Sequence, residues 1–97
     1  MKPSVALETK REAVREALRR YATIANPRVF GSVLHGDDKE GSDLDLLVDA
    51  LPGTSLFTRR GLQEQLEELL GVRVQVVTPP ELSRYFRDEA LAEAVPL

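Results

Sequence analysis

The chain has 97 residues, of which 42% are hydrophobic and 30% charged, and its formal net charge is -3. This composition is too apolar and too weakly charged for a disordered chain, and the length suits one domain over residues 1–97 with a modest core. With no cysteine and a single histidine, disulfides, thiolate zinc sites and cysteine nucleophiles are excluded, so a metal ion must rely on oxygen ligands. The acidic balance argues against strong nucleic-acid binding.

No apolar run approaches the ~20 residues of a membrane span and the N-terminal segment is charged, so we expect a cytoplasmic protein with no membrane association and no signal peptide. One basic cluster occurs near the N-terminus, where glutamates at helical spacing favour internal ion pairs and hence a solvated helix face. Its members are Lys10, Arg11, Arg15, Arg19 and Arg20, interleaved with Glu8, Glu12 and Glu16.

The first element in chain order is an amphipathic helix over about residues 7–25, which Asn26 and Pro27 are expected to end. Two strands follow, within residues 28–30 and 44–48, and glycines punctuate the loop between them. A turn at residues 52–55 leads to a second helix that Gly71 should terminate. Its inward-facing leucines are Leu62, Leu66, Leu69 and Leu70.

Residues 72–77 alternate in a way that predicts a third strand, with Val72, Val74 and Val76 on one face. Thr78 and Glu81 have the spacing of a capping box, which predicts a last helix from there to about residue 94. The order helix, strand, strand, helix, strand, helix indicates an α/β (α+β) fold, with helices covering one apolar face of a small sheet.

The second strand divides its residues between these two faces. Leu44, Leu46 and Val48 should point into the helix-covered core, while Asp43 and Asp45 project from the opposite face, which is left for chemistry. Two carboxylates there would repel each other unless they are protonated, separated by water or bridged by a cation, and Mg²⁺ is the usual cation. The alternative for the pair alone is a solvated acidic strand edge.

Gly31 and Ser32 lie at the end of the first strand. Backbone N–H groups at a glycine turn can approach phosphate oxygens, and a serine hydroxyl adds a donor. Taken alone, this dipeptide could equally form a plain hairpin turn. Together with the aspartate pair, it predicts a site for a metal ion and a phosphate within one hairpin.

The pattern Gly31-Ser32, ten residues, then Asp43-Leu44-Asp45-Leu46 resembles the signature of the DNA polymerase β-like nucleotidyltransferase superfamily. The small size, the Gly36 turn and the VTPPEL run after the third strand resemble its minimal nucleotidyltransferases, from about the first helix to the end of the chain. The resemblance implies a palm-type fold with a small mixed β-sheet. It also implies that Gly31 and Ser32 bind the triphosphate of ATP, and that Asp43 and Asp45 are the catalytic residues that hold Mg²⁺.

The third catalytic carboxylate of the superfamily is expected on the third strand, where this chain has Gln75. A glutamine carbonyl could still be a metal ligand, but it carries no charge and cannot accept a proton as a carboxylate does. Asp49 shares the parity of Asp45 but would lie about 13 Å away, too far to share an ion. Three loop acids are expected to be merely solvated: Asp37, Asp38 and Glu40.

Three further residues are weaker candidates for the nucleotide site. His35 could donate to a phosphate, although a single loop histidine is more often simply exposed. Arg59 and Arg60 could reach a nucleotide from the second helix, but adjacent arginines near Glu64 more commonly serve solubility.

The resemblance also implies a partner, because the chain has no room for an acceptor-binding domain. Minimal nucleotidyltransferases pair with a helical HEPN toxin, and some act as antitoxins by transferring AMP to a tyrosine of that partner. The predicted last helix either docks such a partner or simply caps the core. Its apolar residues are Leu82, Tyr85, Phe86, Leu91, Val95 and Leu97.

Three functions are therefore compatible with the sequence. The first is Mg²⁺-dependent transfer of a nucleoside monophosphate, expected to be AMP from ATP, to a hydroxyl of a partner protein. The second is a catalytically weak or inactive module that neutralises a HEPN partner by complex formation, which Gln75 favours. The third is a structural domain with an incidental acidic hairpin.

Overall fold

A four-stranded mixed β-sheet forms the centre of the computed structural model, which describes residues 1–97. The strand order is β3-β2-β1-β4, in which β2 runs parallel to β3 while β1 is antiparallel to both β2 and β4. The elements are α1 Pro3–Arg19, β1 Ile24–Phe30, α2 Ser32–His35, β2 Leu44–Ala50, α3 Leu56–Leu70, β3 Val74–Val77, α4 Arg87–Glu93 and β4 Val95–Pro96. The predicted α+β fold with a small mixed sheet is confirmed.

The core lies between the sheet and the long helices α1 and α3, which also contact each other. Leu44, Leu46 and Val48 of β2 are fully buried in it, as the alternation predicts. The fully buried Leu62 and Leu66 of α3 join the same cluster. This burial removes apolar surface from water at roughly 25 cal/mol per Å², and it fixes which face of β2 carries Asp43 and Asp45.

Local signals define both ends of α3, and of these only the glycine at the C-terminal end was predicted. The Ser55 side chain accepts a hydrogen bond from the backbone N–H of Thr58, and the Thr58 hydroxyl accepts one from the N–H of Ser55. Gly71 ends the helix in the left-handed conformation with φ 71°. A glycine suits this position because a Cβ would be strained there.

The predicted end of the first helix is wrong. Helix α1 stops at Arg19, and Asn26 and Pro27 lie within β1. The register with β2 shifts between Ala25 and Arg28, and Asn26 has φ 52°. Proline has no N–H to donate to a neighbouring strand, and a bulge at this point accommodates it. Pro27 therefore interrupts strand pairing, whereas it was expected to terminate a helix.

The predicted last helix is also wrong over its first half. The capping box of Thr78 and Glu81 is present, but it closes only a 3₁₀ turn over Pro79–Glu81. Leu82 then adopts an extended conformation and is only 9% exposed. Burial of that leucine breaks the helical path, and the short helix α4 does not begin until Arg87.

The second face of the sheet is less open than predicted. Leu47 shares the strand parity of Asp43 and Asp45, yet it is completely buried. The 3₁₀ turn contacts β2, so this face has its own small covered region. The polar site is therefore restricted to the end of β2 where Asp43 and Asp45 lie.

The charged face of α1 forms the predicted ion pairs along the helix. Three glutamate–arginine pairs at i, i+3 spacing join Glu8 to Arg11, Glu12 to Arg15 and Glu16 to Arg19. Such exposed pairs each contribute at most about 1 kcal/mol. None of the helices combines the length and apolar character needed to cross a membrane.

Glu81 links the 3₁₀ turn to α3, and its removal should destabilise the protein. The ion pair with Arg59 lowers the pKa of Glu81 from 4.5 to about 2. A lowered carboxyl pKa adds stability that is complete above about pH 4.5 and is lost as the pH falls towards 2. Because the Glu81 side chain is 42% exposed, we discount the effect for screening and expect Glu81→Gln to cost about 1 kcal/mol at pH 7.

Denaturant midpoints of the wild type and Glu81→Gln between pH 7 and pH 3 measure this contribution. The difference between the two proteins should shrink as the pH falls. Glu64→Gln, which alters an exposed glutamate on α3, serves as the control. A difference that stays constant with pH would contradict an electrostatic origin.

Candidate nucleotide and metal site

Gly31 brings the backbone of the β1–α2 turn into direct contact with Asp45. Its φ is 77°, and a Cβ built on it would collide with Asp45 Oδ2 and lie 3.2 Å from Asp45 Cγ. An L-residue other than glycine would therefore be strained and would push the carboxylate away. The sequence requires glycine here for two independent reasons, and the turn and the acidic strand form one site.

Asp45 lies in the middle of the sheet, where β2 is flanked on both sides. Its strand neighbours are Phe30 on β1 and Gln75 on β3. Burial, and then the nearby Asp43 carboxylate, raise the pKa of Asp45 above its usual value. The folded protein therefore disfavours the charged form of this carboxyl, and a bound cation would relieve that cost.

Asp43 immediately precedes β2, and the guanidinium of Arg73, the residue before β3, approaches its carboxylate. The Arg73 Nε lies 3.0 Å from Asp43 Oδ1, but the two atoms do not form a hydrogen bond. This oxygen is inaccessible to solvent and accepts no hydrogen bond from any donor. A buried carboxylate oxygen without a donor is costly unless a cation or water binds it. Arg73 was not predicted as a site residue, although its parity with Gln75 in the predicted third strand was a usable signal.

Gln75 occupies the strand position predicted for it. It pairs with Asp45 in the parallel register and is exposed, so its side chain stands on the same face as the two aspartates. No group of three or more His, Asp or Glu side chains is arranged to hold a metal ion. The oxygen donors available at this point of the sheet are therefore two carboxylates and one amide.

Ser32 and His35 lie on the short helix α2 that follows Gly31. Ser32 is its first residue, adjacent to the contact with Asp45. His35 forms an ion-pair contact of 2.9 Å with Glu93 of α4. The histidine therefore ties α2 to α4, a role that the sequence did not indicate.

The two arginines of α3 are not equivalent in the structure. Arg59 forms a bidentate ion pair with Glu81, which occupies its guanidinium. Arg60 borders an open pocket together with the exposed side chains of Leu56 and Phe57. Arg59 therefore has a structural partner that the solubility interpretation did not include, and a role of either arginine at a nucleotide stays a prediction.

One prediction about the loop acids is wrong. Asp38 is only 5% exposed, and its Oδ2 accepts a hydrogen bond of 2.8 Å from the Ser4 backbone N–H. That hydrogen bond is the main reason why the pKa of Asp38 is lowered. Asp38 therefore anchors the loop to the start of α1, whereas Asp37 and Glu40 are exposed as predicted.

Asp49 is engaged elsewhere and is not a substitute for the missing carboxylate. The buried Arg28 donates to both of its oxygens, at 3.1 and 3.4 Å, and Asn26 donates at 3.3 Å. These contacts, led by the Arg28 hydrogen bonds, lower the pKa of Asp49. The pair fixes the far end of the β1–β2 hairpin.

A cavity of about 230 Å³ adjoins the site on the α4 side. Phe30, Gly31, His35, Phe86 and Glu93 contribute to its wall. A larger groove of about 600 Å³ lies between α1 and α3, away from the aspartates. We assign the smaller cavity to the site because only it shares Gly31 with the aspartate contact.

The donor set at the aspartates fits a hard divalent cation. Carboxylate and amide oxygens are ligands that Mg²⁺ accepts, and Asp43 Oδ1 is a buried oxygen without a hydrogen-bond donor. Because Gly31 approaches Asp45 closely and has no side chain, its backbone lies directly beside the carboxylate. Residues suited to a metal ion and residues suited to a phosphate are therefore adjacent.

Comparison with known proteins identifies the family. The family model for the nucleotidyltransferase domain matches residues 11–97. The protein adenylyltransferase MntA of Thermococcus cleftensis is 37% identical over 89 residues, which cover 92% of this chain and 90% of the relative.

Solved structures agree with this match. A structure described as a "putative minimal nucleotidyltransferase" superposes with a TM-score of 0.83 at 42% identity, covering 97% of this chain and 95% of that one. A chain of a toxin–antitoxin crystal structure with AMP-PNP gives a TM-score of 0.74 at 21% identity, over 88% of this chain and 69% of that one. At 21% identity, the second likeness shows the fold alone. The chain belongs to the nucleotidyltransferase domain family, among its minimal nucleotidyltransferases.

Proposed function

We propose that the chain transfers a nucleoside monophosphate, AMP from ATP, to a hydroxyl of a partner protein in a Mg²⁺-dependent reaction. The observation that carries the proposal is the contact between Gly31 and Asp45, which places a side-chain-free turn against an aspartate pair. The name of the Thermococcus cleftensis relative, a protein adenylyltransferase, supports the same reaction.

In this proposal, Asp43 and Asp45 hold the metal ion, with the Gln75 carbonyl as a further candidate ligand. Bound Mg²⁺ would stabilise the charge that develops on the phosphate oxygens during transfer. Two carboxylates and one amide supply only part of the oxygen ligands that such an ion takes, so water and phosphate oxygens would supply the rest. Gly31 and Ser32 offer backbone N–H groups and a hydroxyl to the triphosphate.

The transfer itself requires only positioning and one proton acceptor. The partner's hydroxyl oxygen forms a bond to the α-phosphorus, the bond from that phosphorus to the β-phosphate oxygen breaks, and pyrophosphate leaves. The hydroxyl proton cannot pass to Gln75, because an amide is not a base at neutral pH. It passes to water or to a base supplied by the partner, which predicts slow turnover.

The proposed acceptor is a helical HEPN-type toxin, for which this chain would be the antitoxin. The toxin–antitoxin structure that shares the fold supports this pairing. Exposed apolar side chains near the C-terminus offer a surface for it. They are Tyr85, Phe86, Leu91 and Val95, which are between 39% and 86% exposed.

Incubation with labelled ATP tests the proposed function. The purified chain, Mg²⁺ and the protein encoded beside it in the genome are mixed with ATP labelled at either the α- or the γ-phosphate. We expect only the α label to reach the partner and pyrophosphate to be released. Transfer of the γ label, or stable complex formation with no transfer, would refute the proposed reaction.

The second candidate function is a binding module that neutralises its partner without catalysis. The observation that favours it is the pairing of Gln75 with Asp45 in the sheet, which leaves an amide at the position of the third carboxylate. Under this alternative, the partner's activity is suppressed by the complex alone and nucleotide has no effect on it.

Gln75→Asp separates the two functions. A carboxylate at this position adds a charge for the metal ion and a proton acceptor, so we expect transfer to rise about tenfold or more. Initial rates of α-label transfer at saturating Mg²⁺ measure the effect, and parallel reactions without Mg²⁺ are the control. A rate that is unchanged or lower would mean that another group already supplies the missing function.

A further inference from the structure

Arg73 is positioned to act on the aspartate pair although it belongs to no predicted site. It precedes β3, and its backbone oxygen accepts a hydrogen bond of 2.8 Å from the N–H of Leu44. That contact fixes Arg73 beside the residue that follows Asp43. The side chain then reaches the Asp43 carboxylate, with Nε 3.0 Å from Oδ1.

The guanidinium is held loosely in this position. One Nη donates a hydrogen bond of 3.0 Å to the Gly41 carbonyl, but the contact with Asp43 is not a hydrogen bond. The Arg73 side chain is 74% exposed, so little else packs against it. An ion pair that lacks hydrogen-bond geometry and whose guanidinium is exposed is weak, and a stronger cation easily replaces it.

We propose that Arg73 is a displaceable counter-ion of the site, which neutralises Asp43 in the absence of ligand and transfers to the phosphates of the nucleotide when the metal ion binds. The inference rests on the proposed function and adds a residue that controls the order of binding. With Arg73 in place, the charge of Asp43 is compensated, so the free site attracts a bare divalent cation less strongly than the aspartate pair alone would. The metal ion therefore enters together with the nucleotide.

The chemistry of the side chain suits both positions. A guanidinium pairs with carboxylate and with phosphate oxygens through the same planar set of donors. Asp43 loses a cation when Arg73 leaves and gains one when the metal ion arrives, so its charge stays compensated throughout. The nucleotide gains a cation near its phosphates in the same step.

Metal and nucleotide affinities, measured separately, test the inference without reference to activity. The free Mn²⁺ signal in electron paramagnetic resonance reports binding of the metal alone, and calorimetry reports binding of the non-hydrolysable analogue α,β-methylene ATP with Mg²⁺. For Arg73→Gln we expect Mn²⁺ alone to bind about fivefold more tightly and the Mg²⁺–analogue complex to bind about tenfold more weakly.

Two control variants separate this role from a general charge effect. Arg20→Gln removes an exposed arginine at the C-terminal end of α1, on the helix-covered side of the sheet, and should leave both affinities unchanged. Arg73→Lys keeps the positive charge and should keep Mn²⁺ binding close to the wild-type value, while a single ammonium restores nucleotide binding only in part.

Opposite shifts of the two affinities in Arg73→Gln alone would support the inference. Equal affinities in Arg73→Gln and Arg20→Gln, with the wild type binding both ligands, would overturn the role of Arg73 and leave the proposed function intact. If the wild type binds neither Mn²⁺ nor the Mg²⁺–analogue complex, the proposed function fails and this inference fails with it.

Discussion

Asp45→Asn should abolish nucleotide transfer while leaving the protein as stable as the wild type or more stable. The variant removes one of the two charged residues proposed to hold the metal ion, so we expect transfer to fall by at least about 100-fold. The fold should not suffer, because burial and Asp43 already raise the pKa of Asp45 and make its charged form costly. A neutral amide of the same size removes that cost.

The rate of α-label transfer and the midpoint of thermal unfolding together measure this effect. Asp37→Asn makes the same chemical change at an exposed loop position and should alter neither quantity. A loss of activity accompanied by a lower midpoint would indicate that Asp45 acts through stability. Retention of activity would remove Asp45 from the site.

Gly31→Ala should weaken nucleotide binding by at least about tenfold and also destabilise the protein. Gly31 combines φ 77° with ψ -150°, a conformation that is essentially restricted to glycine, so alanine there is strained by about 1–3 kcal/mol. Its Cβ would also displace the Asp45 carboxylate and fill the turn that is proposed to approach the triphosphate. The backbone strain affects stability only, whereas the displacement of the Asp45 carboxylate affects the site.

Gly36→Ala is a control for the positive φ in Gly31→Ala. Gly36 has a similar φ of 74°, but its ψ of 17° places it in the left-handed helical region, and nothing lies within 4 Å of a Cβ built there, so its substitution carries a milder strain and no collision. Urea denaturation should show a smaller loss of stability in Gly36→Ala than in Gly31→Ala, and calorimetry should show weaker analogue binding only in Gly31→Ala. Equal losses of affinity in the two variants would mean that the Asp45 contact is not part of the binding site.

The hairpin was predictable because its residues follow local rules. Strand alternation alone assigns Asp43 and Asp45 to one face, and the positive φ of the turn at Gly31 requires glycine. Gln75 was placed beside Asp45 from strand parity, and the parallel register confirms that position. These inferences need only short-range geometry, which the sequence carries directly.

The failures involve contacts between distant parts of the chain. Asn26 and Pro27 interrupt a helix or a strand equally well, and only pairing with β2 decides between a helix end and a bulge. The capping box at Thr78 cannot extend its helix because Leu82 is buried in the fold. Similarly, Asp38 was expected to be solvated, but it accepts a hydrogen bond from Ser4, 34 residues away.

Arg73 illustrates the same limit within the site. Its identity and parity were visible in the sequence, but its contact with Asp43 depends on how β3 aligns with β2. A register shifted by two residues would place another side chain beside that carboxylate. The charge balance of the site, and with it the proposed order of binding, follows from the tertiary structure alone.

Nuclear magnetic resonance of the ¹⁵N-labelled chain, titrated with α,β-methylene ATP in the presence and absence of Mg²⁺, tests most directly whether the hairpin is the nucleotide site. We predict saturable, Mg²⁺-dependent shifts of the backbone amides at residues 30–32 and 43–45 and at Gln75, all of which disappear in Asp45→Asn. Shifts confined to the groove between α1 and α3, or no shifts at saturating analogue, would contradict the assignment of the site.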